Sequence, residues 1–319
     1  MKDTQAASPE DNAARPHRRS AARAWLQLLR IPNLLTVPGD PLAGFLLAQA
    51  AGLAATRPGL RMALAAGVSL LMYSAGLLWN DWFDLAEDRR DRPGRPLPSG
   101  LVRPGIAALV ANVLIALAVA VAAVAGQTTL YVTLALGAAV MAYNAFLKRL
   151  PVVGPLVMGL CRGLSVLVGA AAFAGGLAHD AVLACAGGAM LYIAAVTVLA
   201  AGETRPDALK AKCLLVVVAA AAWCVGLILT VPPAAPLARW ATTAACAVAA
   251  IWMASRLAKL GDEPAPAAVQ RTVGSLLRAL LLIQAAAVVS TGWTGAAVAA
   301  GLAACFVLSA LLGRRFYGS

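Results

Sequence analysis

The stretch Asn80-Asp81-Trp82-Phe83-Asp84-Leu85-Ala86-Glu87-Asp88 ends an apolar segment at residues 60–80 with a cluster of acids. Read as helix, Asp81, Asp84 and Asp88 stand at i, i+3 and i+7 and share one face, with Asn80 beside Asp84. Carboxylates are costly beside hydrocarbon, so a cluster of them at the end of a membrane-length segment marks a functional site. Three like charges on one helix face repel unless a cation lies between them. A divalent metal carrying a phosphorylated ligand meets that requirement.

The rest of the chain supplies the membrane. Hydrophobic residues make up 61% of the 319, charged ones only 13%, and the mean hydropathy is +0.80. That excludes an ordinary soluble domain. Apolar stretches of about 20 residues, the length of a membrane-crossing helix, recur near 33–54, 60–80, 103–125, 127–147, 153–177, 180–202, 209–231, 236–257, 272–291 and 293–313. Strand alternation is absent, which argues against a β-barrel. The expected fold is all-α: a polytopic membrane bundle of about nine to ten transmembrane helices around a central cavity. Abundant Gly and Ala allow its helices to pack closely. Residues 21–319 are read as one such domain. Met1 to about Ser20 is a polar, Arg-containing tail expected to be disordered and not a cleavable signal peptide. Residues 21–30 read as a short amphipathic helix on the membrane surface.

Charge sorts to one side. Long charged connections follow the second segment (81–102), the sixth (203–212) and the eighth (258–271), and Lys148-Arg149 follows the fourth. The positive-inside rule makes that side the cytoplasm, with Arg57 and Arg61 as exceptions. The expected setting is an integral multi-pass protein of a plasma membrane, the inner one in a bacterium. The net charge of +12 invites a nucleic-acid reading. No basic stripe with interleaved aromatics supports it, so nucleic acid is excluded as a partner. The six cysteines lack C-x-x-C spacing and lie mostly in apolar runs, as small hydrophobes do. Two histidines leave little for a His-based metal site.

Behind the acids the chain reads Arg89-Arg90-Asp91-Arg92-Pro93-Gly94-Arg95-Pro96-Leu97-Pro98-Ser99-Gly100. The prolines end the helix and turn a basic loop back beside the carboxylates. Mg²⁺ typically takes one or two carboxylates plus substrate phosphates, and arginines clamp the remaining phosphate oxygens. A solvated loop of internal salt bridges is the plain alternative.

Asn80-Asp81-x-x-Asp84-x-x-x-Asp88, followed by Arg95-Pro96-Leu97-Pro98-Ser99-Gly100, resembles the first signature of the UbiA superfamily of intramembrane prenyltransferases. Arg30-Ile31-Pro32-Asn33-Leu34-Leu35-Thr36 is similar to that family's opening of its first membrane helix. Tyr143-Asn144-x-x-x-Lys148-Arg149 is similar to its fourth-segment ending. Gly154-Pro155 and Met158-Gly159-x-Cys161-Arg162 resemble the family's EboC branch. The resemblance implies transfer of an isoprenyl group from a polyprenyl diphosphate to a lipophilic acceptor within the bilayer. It implies Mg²⁺ held by Asn80, Asp81, Asp84 and Asp88, with Arg92, Arg95 and Lys148 clamping the diphosphate. Asp81, Asp84, Asp88 and Lys148 would then be catalytic, and Asn33, Tyr143 and Arg162 would join Asn80, Arg92 and Arg95 in substrate binding.

The family's second acidic motif is reduced. Gly202-Glu203-Thr204-Arg205-Pro206-Asp207 keeps i, i+4 spacing but lacks further acids. Glu203 and Asp207 are candidate ligands of a second metal, or Glu203 pairs with Arg205 or Arg162. Arg162 lies deep in an apolar segment, where a charge should face the cavity with an acidic or phosphate partner. A snorkelling structural role is the alternative. Asp40, between Pro38-Gly39 and Pro41, is a second intramembrane charge that interrupts a helix. The reduced motif keeps a second function open: a non-catalytic relative that binds isoprenoid lipids.

Overall fold

The computed structural model describes residues 21–201, 206–232, 234, 238–261 and 264–317. The described residues form helices: α1 (21–28), α2 (Ile31–Leu34), α3 (Gly39–Ala50), α4 (Pro58–Phe83), α5 (Leu85–Asp91), α6 (Pro104–Ala125), α7 (Gln127–Ala145), α8 (Val153–Ala170), α9 (Asp180–Ala200), α10 (Pro206–Thr230), α11 (Ala238–Leu257), α12 (Pro266–Val288) and α13 (Trp293–Tyr317). Each of the ten apolar segments maps onto helix. Eight described helices are long and apolar enough to cross a membrane: α4, α6 to α10, α12 and α13. The protein is an integral, multi-pass membrane protein.

The first segment, 33–54, is broken in two. Pro38 caps α3, and Asp40 and Pro41 occupy its first turn, so α2 does not run into it. At 12 residues α3 is about 18 Å long, short of the ~30 Å hydrocarbon thickness. Nine of its residues are buried, which makes it a core helix. The fifth segment also ends early: α8 stops at Ala170, and Gly175 (φ 76°) turns the chain toward α9. Besides Pro38, five prolines sit at or next to helix starts (α2, α4, α6, α10 and α12), where the missing N–H costs nothing.

Small residues set the helix spacing. Gly159 and Gly163, one turn apart on α8, face α9. A Cβ on Gly159 would strike the Met190 carbonyl, and one on Gly163 would lie 2.9 Å from the Ala186 carbonyl. On another face of α8, Gly169 abuts the Pro41 carbonyl, and Gly44 of α3 abuts the Val166 carbonyl. Close backbone approach of this kind is how membrane helices gain packing energy without help from water. α8 is thereby wedged against α3, α4, α7 and α9, while α12 and α13 return to α2 and α3 and close the bundle.

At the charged end, α1 lies across the bundle with Ala24 and Leu28 buried against Leu78, Leu97, Val102, Ala107 and Ala111. Leu97 and Val102 pin the loop after α5, and full burial of each is worth about 1.5–3 kcal/mol relative to exposure to water. The amphipathic helix read at 21–30 is therefore real but ends at residue 28, and its apolar face meets protein.

Candidate active site

The acidic stretch is almost one continuous helix. α4 ends at Phe83, but Asp84 N–H still donates to the Asn80 carbonyl and Asp88 N–H to the Asp84 carbonyl (3.0 and 2.8 Å). The helical spacing therefore holds across the joint, and the acids share one broad face that divides into two groups. Asp84 accepts from Lys148 Nζ at 2.5 Å and from Asn80 Nδ2 at 3.2 Å. Asp81 accepts from Arg30 Nη2 at 3.1 Å and lies 3.8 Å from Arg95 Nη1. Asp88 accepts from Arg95 Nη1 at 2.7 Å and lies 4.0 Å from Arg92. Glu87 and Asp91, off this face, are exposed.

Each cation arrives for a local reason. Arg95 returns because the Pro-rich loop curls on itself (Ser99 N–H to the Arg95 carbonyl, Val102 N–H to the Pro96 carbonyl) and is held down by Leu97. Lys148 is carried by a single 3-10 turn, Leu147–Arg149, just after α7. Arg30 adopts a left-handed backbone (φ 46°, ψ 54°) at the hinge between α1 and α2. That conformation is uncommon for a residue with a side chain and is typically kept where function or packing demands it. The sequence pattern gives Arg30 no role of its own. The signal it does offer is a cation placed just before the first apolar segment.

Two cavities meet here. One, of about 450 Å³, lies at the charged mouth among Gln27, Arg30, Asp81, Arg92 and Arg95. The other, about 330 Å³, runs into the bundle from Arg30, Asn33, Asn80, Tyr143 and Asn144 past Met72, Leu136, Val140 and Ile193 to Arg162. Arg30 lines both. The expected site residues Asn33, Asn80, Tyr143 and Arg162 thus share the inner cavity, while Asp81, Arg92 and Arg95 line the mouth. Lys148, Asp84 and Asp88 join them through ion pairs.

Arg162 finds its acidic partner in Asp40. Its Nε stands 3.0 Å from Asp40 Oδ2, and its Nη2 donates to the Thr36 carbonyl at 3.1 Å. Gln284 Nε2, from α12, donates to Asp40 Oδ1 at 2.6 Å and to the Thr36 carbonyl at 3.0 Å. The sequence gives Gln284 no role, since nothing local to α12 points to a partner on α3. Glu203 lies outside the described residues, and only the backbone of Asp207 is described, in the first turn of α10. Ala200, the last residue of α9, lines the inner cavity.

The donor set suits Mg²⁺ in one mode only. Among the described residues no group of three or more Asp, Glu, His or Cys is placed to cage a metal. The pairing of Asp81 with Asp88 and of Asp84 with Asn80 instead offers one or two hard oxygen ligands from each group. Mg²⁺ uses that few when phosphate oxygens and water complete its shell.

Comparison with known proteins agrees with this architecture. The sequence pattern of the UbiA prenyltransferase family matches residues 41–274. A digeranylgeranylglyceryl phosphate synthase of Haloquadratum walsbyi is 32% identical over 161 residues, covering 49% of this chain and 53% of its own. A protein of the same name from Natronomonas pharaonis is 32% identical over 161 residues, covering 50% of this chain and 56% of its own. The chain thus spans about half the length of the curated relatives it matches. A UbiA homologue of Aeropyrum pernix superposes with a TM-score of 0.61 at 20% identity, over 80% of this chain and 96% of its own. A homologue from Archaeoglobus fulgidus, solved with DMAPP and Mg²⁺, gives 0.57 at 16% identity over 81% and 98%. At such identities the likeness is one of fold.

Proposed function

The chain belongs to the UbiA prenyltransferase family, and we propose that it transfers an isoprenyl group from a polyprenyl diphosphate to a lipophilic acceptor in a Mg²⁺-dependent reaction. One observation carries the reading: a ring of acids and cations (Asp81, Asp84, Asp88, Arg30, Arg92, Arg95, Lys148) stands at the mouth of an apolar cavity inside a membrane bundle. A prenyl diphosphate has that same division, a multiply charged head and a hydrocarbon tail.

In this reading Asn80, Asp81, Asp84 and Asp88 would hold Mg²⁺, with Glu203 and Asp207 as candidate ligands of a second ion. When bound, the metal would neutralise the diphosphate and lower the charge cost of its departure. The cations that pair with the acids here then exchange partners. Lys148 turns from Asp84, and Arg95 from Asp88, toward phosphate oxygens. As the C–O bond of the substrate breaks, the leaving diphosphate gains negative charge. Fixed cations therefore favour the transition state over the ground state. The allylic cation left behind needs a water-poor surrounding, which Met72, Leu136, Val140 and Ile193 supply. The charged loops are assigned to the cytoplasmic side by their excess of Arg and Lys.

The test is diphosphate release by purified protein with Mg²⁺, geranylgeranyl diphosphate and a lipid extract as acceptor source. Asp81→Asn and Asp84→Asn should each abolish release while leaving thermal unfolding within a few degrees of wild type. Unchanged turnover in both would refute the assignment. Mg²⁺-dependent binding with no release under any acceptor would favour a lipid-binding relative.

A further inference from the structure

Away from both cavities, the charged end of the bundle holds a second concentration of cations. From residue 208 to the C-terminus the chain has nine Lys and Arg but only two acids, Asp262 and Glu263. Four of these cations fall into two stripes. Trp252, Arg256 and Lys259 stand at i, i+4 and i+7 along α11 and the turn that ends it. Arg271, Ser275 and Arg278 repeat that spacing on α12. Each set therefore shares one side of its helix.

Both stripes meet α13. The Trp252 ring packs edge to face on Phe306, with centroids 5.2 Å apart. Gly313, seven positions further along α13, passes so near Arg278 that a Cβ would lie 3.1 Å from its Nη1. The Tyr192 hydroxyl reaches Met253 Sδ on α11 at 3.3 Å and the Leu276 carbonyl on α12 at 2.8 Å, which holds the two stripes level. Ile251 beside Trp252 and Val307 beside Phe306 are more than half exposed, so this side of the bundle faces lipid. The result is a strip that is aromatic within the hydrocarbon and cationic at its edge. Trp252 lies five residues before the end of α11, about 8 Å deeper along the helix.

The Arg256 guanidinium lies 4.9 Å over the Trp252 ring, which fixes its plane by a cation–π contact. Neither it, Lys259 nor Arg271 has an acidic partner or a side-chain hydrogen bond among the described residues. The first turn of α12 holds no acid to offset them. We propose that this strip is a binding site for one anionic phospholipid. Its phosphodiester oxygens take the Arg256 N–H groups, for which the planar guanidinium is suited. Lys259, Arg271 and Arg278 add positive field, and an acyl chain lies along Trp252 and Phe306. The aromatic half selects a lipid over a soluble anion, because only a tail reaches that depth. None of these residues lines either cavity, so the inference stands apart from the prenyl-transfer reading.

Tryptophan quenching tests it on the full chain in a neutral detergent, with phosphatidylglycerol and phosphatidylcholine carrying the same dibrominated acyl chains. Wild type should reach half-quenching with phosphatidylglycerol at about a tenfold lower concentration or less, since each Lys or Arg near an anionic headgroup is worth about fivefold in affinity. Trp252→Phe, which keeps a ring against Phe306, should remove that preferential quenching. Arg256→Gln with Lys259→Gln should bring the two lipids within about threefold of each other. Should that pair fail to fold, Lys259→Gln with Arg271→Gln, both exposed, decides by a loss in the same direction. Arg89→Gln with Arg90→Gln removes the same charge from exposed positions of α5 and should leave the preference intact. Equal quenching by both lipids in wild type, or equal losses from the α5 and α11 variants, would overturn the proposal. So would displacement of the lipid by glycerol 3-phosphate or poly-glutamate at equal concentration, which would assign the strip to a free anion or an acidic protein.

Discussion

Asp84 sits between two partners of different reach, Asn80 one turn back on its own helix and Lys148 from the far side of the cavity mouth. That arrangement makes Lys148 the most exposed test of the clamp. Lys148→Met should lower kcat/KM about 10²-fold, the usual loss when one preorganised donor to a developing anion is removed. Steady-state diphosphate release checks it, and a loss confined to stability would count against a catalytic role. Asp40 predicts the reverse balance. Asp40→Leu leaves the Arg162 guanidinium buried and unpaired, which typically costs about 3–5 kcal/mol, whereas changing both members together is near neutral. Thermal unfolding of the single and double variants in one detergent measures the difference directly. The two pairs also differ in legibility. Asp81, Asp84 and Asp88 can be read from the chain because helical period is a local property. Arg30 with Asp81, 51 positions apart, and Gln284 with Asp40, 244 apart, are set by tertiary packing that no local pattern encodes.

Among the helices, α8 carries the most constraint, since glycines on two of its faces touch α3 and α9. Gly159→Leu should unfold the bundle or cost at least about 1–3 kcal/mol by overpacking, because its Cβ meets a backbone carbonyl that cannot turn away. Gly187→Ala on α9, with open space around it, should be neutral or stabilising by up to about 1 kcal/mol. Equal effects from Gly159→Ala and Gly187→Ala, by thermal unfolding, would refute this packing. The abundance of small residues is readable as close packing in general; which glycine faces which helix is not. The break in the first segment has its signal in Pro38-Gly39-Asp40-Pro41, yet the apolar residues on either side of it make 33–54 read as one span. The early end of α8 is hidden for the same reason, since Ala171 to Phe173 are apolar but leave the helix.

For the molecule as a whole, the proposed orientation rests on the positive-inside rule, and cysteine labelling tests it. In a background without native cysteines, Ser99→Cys in the basic loop should react with a membrane-impermeant maleimide only after cells are permeabilised. Thr128→Cys at the opposite end of the bundle should react in intact cells. The reversed pattern would turn the charged loops outward and remove the positive-inside argument. The membrane bundle and its acidic signature are legible from hydropathy and spacing, whereas the meeting of a charged mouth with an apolar cavity exists only once α2, α4, α7, α8, α9 and α12 are packed together. The central claim is that this meeting point performs prenyl transfer. Its most direct measurement is mass spectrometry of a lipid extract incubated with purified protein, Mg²⁺ and geranylgeranyl diphosphate. The account predicts a new species heavier than its acceptor by one geranylgeranyl group less a hydrogen, absent when Mg²⁺ is chelated and absent with Asp84→Asn. The same product yield from wild type and Asp84→Asn, or no new species from wild type with diphosphate bound, would contradict it.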